Sequence, residues 1–235
     1  MRPLPWLPRL EPGDRPHHIG GPDHETLRSL DNLRVVNRYF GGTRSVLRPL
    51  CGLLRSSSAG VVRVLDVGCG GADTPLALAH WARRHAVRLH VTAVDQDETV
   101  VARAAAASRG WPEIRVVRAD AARLPFADRA FDYVTSSMLL HYFALAEAAD
   151  LLHRWRRLAT RAVVVADVQR HWFPCAAISL LGRLSGSPLF RRGHGDTVRR
   201  GFTPGELGRL AKQAGFVRMR VRRHAPFRLS LVGLL

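Results

Sequence analysis

The stretch VRVLDVGCGGADTPLAL, residues 62–78, decides how this chain is interpreted. Its first six residues are mostly apolar and β-favouring, which predicts a strand covered on both faces. A glycine cluster follows, and after it the residues favour a helix. In an open α/β sheet, ligands bind beyond the carboxyl ends of the strands, next to turns of this kind. The stretch therefore predicts a ligand-binding turn between a buried strand and a helix.

The composition limits the class of protein. A chain of 235 residues can form one α/β domain with a buried core. No apolar run reaches the length of a membrane span, and the proline-broken N-terminus lacks a signal-peptide core. Cys51, Cys69 and Cys175 have neither metal-ligand spacing nor an even-numbered disulfide framework. We therefore expect a cytoplasmic protein with no metal site and no membrane span.

The net charge of +17 favours an anionic partner such as nucleic acid. Lys212 is the single lysine, so the excess is almost all arginine. Abundant arginine, alanine and glycine together are typical of a GC-rich coding sequence. The charge alone therefore does not establish a nucleic-acid partner.

Short apolar runs alternate with longer helical patterns along the middle of the chain, which predicts right-handed crossovers in a parallel sheet. Two alternating segments near the end, FVRMRVRRH and PFRLSLVGL, are separated only by a turn at Ala225-Pro226, which predicts an antiparallel hairpin. We predict an α/β fold with a Rossmann-like, doubly wound seven-stranded sheet, mostly parallel with a C-terminal antiparallel hairpin and helices on both faces. Strands are expected near 61–67, 89–94, 114–118, 131–136 and 162–168, and helices near 74–84, 97–108, 145–158 and 203–214.

The residues of the turn indicate which ligand it holds. Gly68 and Gly70 allow a tight bend and a close approach of the backbone to a bound molecule. A dinucleotide site also requires glycine or alanine at position 73, where pyrophosphate meets the helix, but Asp73 stands there. Together with Asp66 before the turn, this carboxylate repels phosphate and suits an amino-acid ammonium group.

The sequence VLDVGCGGAD resembles motif I of the class I S-adenosyl-L-methionine-dependent methyltransferases, and three further motifs of that family follow in order. The resemblance implies that Asp95 in VTAVDQD holds the ribose hydroxyls and that Asp120 in VVRADAARLPF lies near the adenine. It also implies that residues 136–139 in FDYVTSSMLLHYF line the methionine end of the cofactor. The residues assigned to S-adenosyl-L-methionine are Asp66, Gly68, Cys69, Gly70, Asp73, Asp95, Gln96, Asp120, Ala121 and Ser136.

Two features qualify the resemblance. Ala72 stands where many family members have a third glycine. A structural reading of Asp95 and Asp120 also exists, since either could cap a helix. Their joint occurrence at strand ends favours the cofactor reading.

The expected domain organisation follows from these motifs. Residues 1–58 form an N-terminal leader with cap helices, and residues 59–235 form the methyltransferase domain. An insert at 169–202 mixes apolar and arginine-rich segments, which suits a lid over a substrate. Its GHGDTVRRGFTPGEL stretch resembles small-molecule methyltransferases of bacterial secondary metabolism.

The sequence favours a small, largely apolar or phenolic acceptor, methylated at oxygen. The Asn/Asp-Pro-Pro-Tyr/Phe motif of nucleic-acid N-methyltransferases and the Pro-Cys pair of cytosine-C5 methyltransferases are both missing from the expected positions. A general base is needed only if the acceptor must lose a proton. His141 after strand four is the first candidate, and His194 beside Asp196 is the second; His171 after strand five is a third.

Several alternatives remain open at this point. Each histidine could instead be a capping or surface residue, and Arg38 and Tyr39 could either shape the pocket or belong to surface and core. Arginine pairs keep an RNA methyltransferase as the second hypothesis. A third is an inactive binding or assembly subunit, although three carboxylates at the expected site argue against it. Carbon and nitrogen acceptors stay open, and the sequence predicts no oligomeric state.

Overall fold

The structure is a computed structural model that describes residues 7–11, 41–55, 60–173 and 194–235, except for the side chains of residues 194 and 195. A seven-stranded sheet forms its centre. The strands are β1 Val62–Val67, β2 Leu89–Asp95, β3 Ile114–Arg118, β4 Phe131–Ser137, β5 Ala159–Val168, β6 Arg218–His224 and β7 Arg228–Leu234.

The strands lie in the order β3-β2-β1-β4-β5-β7-β6. The first five pair in parallel, while β7 runs antiparallel to both β5 and β6. The predicted sheet, with its parallel body and C-terminal hairpin, is therefore confirmed. The predicted strand positions are confirmed to within a few residues.

Helices cover both faces of the sheet, as predicted. The α-helices are α1 Gly42–Leu54, α2 Asp73–Arg84, α3 Glu98–Ala107, α4 Leu145–Leu158, α5 His194–Arg200 and α6 Pro204–Gln213, and a 3-10 turn spans Leu140–Tyr142. Buried residues of α1, α2 and α3 share one apolar core, and those of α4 and α6 share the core on the other face. Burial on both faces explains why β5 is apolar almost throughout.

Local capping signals explain the bounds of α6. The Thr203 hydroxyl accepts from the Glu206 N–H at 3.2 Å, and the Glu206 carboxylate accepts from the Thr203 N–H at 2.8 Å. Pro204 occupies the first helical position, and Gly215 follows the helix with φ of 87°. This capping box and the glycine stop explain why the helix predicted near 203–214 begins and ends where it does.

The N-terminal predictions are only partly covered by the described residues. Helix α1 is the described part of the predicted cap helices. Residues 12–40, which include Arg38 and Tyr39, lie outside the described residues, as does most of the 169–202 insert. The division at residues 58 and 59 therefore stays a prediction.

The strand order also places the ligand site. β1 pairs with β2 on one side and with β4 on the other, so the chain reverses its direction of winding at β1. Connections leaving β1 and β4 must diverge at their carboxyl ends, which leaves a crevice there. The glycine turn follows β1 and the 3-10 turn follows β4, so both border this crevice.

Candidate active site

The glycine turn between β1 and α2 lies in the left-handed region of backbone conformation. The φ angles are 72° at Gly68, 52° at Gly70 and 65° at Ala72. A Cβ atom on Gly68 would lie 2.9 Å from Leu139 Cδ2, so that glycine is required by both conformation and space. The third position, where the family often has glycine, keeps the same conformation with a fully buried alanine.

The second strand anchors this turn. The N–H groups of Gly68 and Cys69 both donate to the Val94 carbonyl at 2.9 Å. Asp95 Oδ2 accepts from the Gly70 N–H at 3.1 Å. Burial raises the pKa of the Asp95 carboxyl, and the Gly70 hydrogen bond opposes that rise. The structure thus brings together the turn and the carboxylate predicted to hold the ribose.

Asp66 is a buried residue of β1, two positions before Gly68. Its side chain is 2% exposed, and Oδ1 accepts from the Thr135 hydroxyl at 2.8 Å. Burial raises the pKa of the Asp66 carboxyl to about 7, the Thr135 hydrogen bond lowers it, and the charge of Asp95 raises it further. A bound ammonium group would favour the ionised form of both carboxyls. This charge pattern fits the cationic ligand predicted from the sequence.

The raised pKa of Asp66 predicts a pH-dependent stability. Between the ordinary value of 3.8 and about 7, the native state keeps a proton that the unfolded state releases, so the free energy of unfolding falls as pH rises. We expect Asp66→Asn, which mimics the protonated form, to gain stability over the wild type by roughly 1 kcal/mol per pH unit in this window.

Urea unfolding of both proteins from pH 5 to 8.5 measures this difference. The gap should widen up to about pH 7 and then level off. A gap that stays constant across the range would show that Asp66 does not titrate there. Taking the difference between the two proteins cancels the other titrating groups.

Two of the predicted cofactor residues support the turn from inside. Cys69 is 7% exposed, and burial raises the pKa of its thiol well above the ordinary value. Ser136 is fully buried, and its hydroxyl donates to the Val67 carbonyl at 2.9 Å. The Ser136 hydroxyl thus joins β4 to the last residue of β1, and Cys69 packs into the apolar core beneath the turn.

The remaining predicted cofactor residues lie around the same crevice. Asp73 begins α2, and Gln96 is exposed directly after β2. Asp120 is exposed, and its Oδ1 accepts from the Ala122 N–H at 2.8 Å. The Ala121 carbonyl accepts from the Trp155 indole N–H at 3.1 Å, which fixes this turn to α4. Asp120 therefore closes a turn while its carboxylate faces solvent.

His141 forms a buried pair with Asp167 at the carboxyl ends of β4 and β5. The ring nitrogen Nδ1 lies 2.7 Å from Asp167 Oδ1, and the His141 backbone N–H donates to Oδ2 at 3.0 Å. The Val168 N–H also donates to this carboxylate, at 2.7 Å. His141 is 1% exposed and Asp167 is fully buried.

This arrangement determines the tautomer of the histidine. Because the Asp167 carboxylate only accepts, Nδ1 carries the proton, and the lone pair is on Nε2. Nε2 is buried and has no hydrogen-bond partner within the described part of the chain. The centroid of the Tyr142 ring lies 4.1 Å from the centroid of the imidazole ring. A buried acceptor without a donor is costly, so the site is chemically suited to receive a hydroxyl proton.

Sequence reasoning missed Asp167 as a site residue. A signal was present, because RAVVVADV places one carboxylate near the end of an otherwise apolar strand. Asp95 stands in a similar position at the end of β2, but it was predicted from the resemblance to the methyltransferase family. Thr135, which holds Asp66, gave no signal beyond its place in a β-favouring stretch.

Of the other two histidine candidates, only the side chain of His171 is among the described residues. His194 begins α5, but its side chain lies outside the described residues. The His171 ring stacks near Trp172 and Phe227, with centroids 5.9 and 5.3 Å away. His171 Nδ1 accepts from the Phe173 N–H at 3.2 Å, so this histidine belongs to an aromatic cluster after β5.

Other features of the described residues are distinct from this site. No group of three or more histidine, cysteine or acidic side chains there could hold a metal ion. None of the described helices is both long and apolar enough to cross a membrane. A cavity of about 550 Å³ lies between α4 and α6, but it shares no lining residue with the glycine turn or with His141.

Comparison with known proteins agrees with this geometry. Residues 64–161 match the family model described as a methyltransferase domain. The chain carries a methyltransferase domain. The match begins in β1 and ends in β5, so it includes the glycine turn, Asp95, Asp120 and His141. Its fold is that of the class I S-adenosyl-L-methionine-dependent methyltransferases.

Relatives and solved structures place the methyltransferase domain among similar proteins. The chain is 37% identical over 73 residues to demethylmenaquinone methyltransferase of Staphylococcus haemolyticus, covering 31% of this chain and 29% of the relative. It is 29% identical over 147 residues to a probable S-adenosylmethionine-dependent methyltransferase of Mycobacterium tuberculosis, covering 59% and 47%. This chain therefore spans less than half the length of these curated relatives.

A solved structure resembles the whole fold. Human N-acetylserotonin methyltransferase, crystallised in complex with S-adenosyl-L-methionine, matches with a TM-score of 0.66 at 16% identity. The match covers 90% of this chain and 56% of the human chain. At this identity the likeness concerns the fold of the methyltransferase domain alone.

Proposed function

We propose that this protein transfers a methyl group from S-adenosyl-L-methionine to the oxygen of a small, largely apolar or phenolic acceptor, with His141 as general base. One observation carries the oxygen acceptor: a buried histidine is oriented by Asp167 through Nδ1 and has an unpartnered Nε2. A hydroxyl must lose its proton as it is methylated, so it needs such a base.

The cofactor assignment is supported by the residues around the glycine turn. The left-handed turn at Gly68 and Gly70 presents its backbone at the crevice, Asp66 and Asp95 suit an ammonium group and vicinal hydroxyls, and Asp73 disfavours phosphate. When bound, S-adenosyl-L-methionine supplies an electrophilic methyl group. The domain's own task is to hold the two reactants in line and exclude water.

The acceptor class is supported by the surroundings of His141. Tyr142 and Phe143 follow it directly, and the centroid of the Tyr142 ring lies 4.1 Å from that of the imidazole. Aromatic side chains beside a crevice suit an apolar or aromatic ligand. The relatives named for demethylmenaquinone and N-acetylserotonin are consistent with a small organic acceptor. We also propose a cytoplasmic location, supported by the free thiols of Cys51 and Cys69.

The observation that most favours the RNA hypothesis is a row of arginines on β6. Arg218, Arg220 and Arg222 alternate along this edge strand and are exposed. Charges on an edge strand also prevent it from pairing with other chains, which explains them without a ligand. The RNA hypothesis therefore ranks second.

Incubation with methyl-labelled S-adenosyl-L-methionine and either a library of phenols and enols or total RNA tests the proposal. We expect label in the small-molecule fraction, with a rate that changes little between 50 and 200 mM salt. Label in RNA, with binding that weakens steeply over this salt range, would establish the RNA methyltransferase instead. Tight S-adenosylhomocysteine binding with no labelled product would favour the inactive subunit.

A further inference from the structure

Residues 7–11, from the N-terminal segment, lie against the crevice side of the domain. Arg9 makes most of the contacts: its Nε donates to the Arg200 carbonyl at 3.1 Å and its Nη2 to the Phe143 carbonyl at 2.8 Å. The guanidinium also lies 5.1 Å from the centre of the Phe202 ring. Its side chain is 5% exposed, although Glu11, which binds Nη1 at 2.7 Å, is 56% exposed.

The two carbonyls belong to segments that are distant in sequence. Arg200 is the last residue of α5, so the guanidinium binds the negative end of that helix, where a cation is favourable. Phe143 directly follows the 3-10 turn that carries His141. The Leu10 N–H adds a hydrogen bond to the Arg199 carbonyl at 3.1 Å. Residues 9 and 10 therefore fasten α5 to the turn after β4.

Tyr142 precedes Phe143 in the chain and packs against the base. Its ring is 4.1 Å from the His141 imidazole. Burial raises the pKa of the Tyr142 hydroxyl, the charge of Asp167 raises it further, and the charge of Arg200 lowers it. The charges of Asp167 and Arg200 therefore both act on Tyr142. Movement of α5 away from Phe143 would loosen the packing of the turn that carries His141.

We propose that Arg9 is a positioning residue that clamps α5 against the His141 turn and so shapes the acceptor side of the site. This inference rests on the proposed function for its kinetic consequence but not for its structural one. The clamp depends on the guanidinium, because one planar group satisfies two carbonyls and stacks on a ring at once. The cofactor side, at β1 and β2, shares none of these contacts.

Arg9→Ala, Arg9→Lys and the control Arg83→Ala test the clamp. Arg83 is a matched control because it also binds a carboxylate, at 2.6 and 2.8 Å from Glu113, and lies 4.0 Å from the Trp111 ring. It stands in the last turn of α2, away from the crevice. We expect Arg9→Ala to raise the acceptor KM about tenfold, the loss typical of a buried charged hydrogen bond.

The same variant should keep its S-adenosylhomocysteine affinity within about twofold, and Arg9→Lys should recover only part of the loss. Hydrogen exchange gives a readout that does not depend on catalysis: amides of residues 140–143 and 196–200 should exchange faster in Arg9→Ala and not in Arg83→Ala. Faster exchange with no methyl transfer by any protein would reject the proposed function and keep the clamp. Unchanged exchange, unchanged acceptor KM, or equal losses in Arg83→Ala would overturn the clamp.

Discussion

Asp95→Ala should weaken the binding of S-adenosylhomocysteine about a hundredfold or more. A carboxylate that accepts from two vicinal hydroxyls makes two charge-assisted hydrogen bonds, and each contributes on the order of 1.5 kcal/mol or more. The substitution also removes the acceptor for the Gly70 N–H at 3.1 Å, so the turn loses its tie to β2. Isothermal titration calorimetry with S-adenosylhomocysteine measures the change.

Asp97→Asn is the matched control for this prediction. Asp97 is two residues away, and its side chain accepts from the Val100 N–H to cap α3. Asparagine caps a helix about as well as aspartate, so the fold should be kept. The control should keep its affinity within about twofold of the wild type. Equal affinity in Asp95→Ala and the wild type would remove the assignment of the ribose contact.

His141→Gln should lower kcat about a hundredfold to ten-thousandfold with a phenolic acceptor, the usual contribution of a general base. Asp167→Asn should also lower kcat strongly, because its amide NH2 replaces one of the two oxygens that accept from the ring and backbone N–H groups of His141, at 2.7 and 3.0 Å. Neither change touches the glycine turn, so the affinity for S-adenosylhomocysteine should be unchanged. Single-turnover kinetics with labelled cofactor separate the chemical step from binding.

Two comparisons distinguish a base from a structural histidine. His153→Gln is the control, because His153 lies on α4, where its ring nitrogen is 3.3 Å from the Ala214 carbonyl, and is not part of the His141 pair. A more acidic phenol, already ionised at the assay pH, should restore much of the lost rate in His141→Gln, since it needs no base. If the loss is equally large with acidic and ordinary phenols, His141 does not act as the base.

The fold was largely predictable because its signals are local. Apolar runs, glycine stops and the Thr203–Glu206 capping box are read within a few residues of each other, and all reappear in the structure. Asp66 and Asp95 could be predicted to approach the turn, since carboxyl ends of parallel strands meet at one edge of a sheet. Their partners could not, because Thr135 lies 69 residues from Asp66.

The acceptor side of the site could not be predicted, because it is formed by contacts between residues that are distant in sequence. His141 was one of several candidate histidines until Asp167, 26 residues further along the chain, was found against it. Arg9 reaches a carbonyl 191 residues away. The sequence by itself determined the secondary structure, the glycine turn and the charge of its ligand, because those depend on near neighbours and on strand ends. Only the tertiary structure decided that Asp167 orients His141 and that Arg9 binds the segments beside it, because these contacts form when distant parts of the chain pack together.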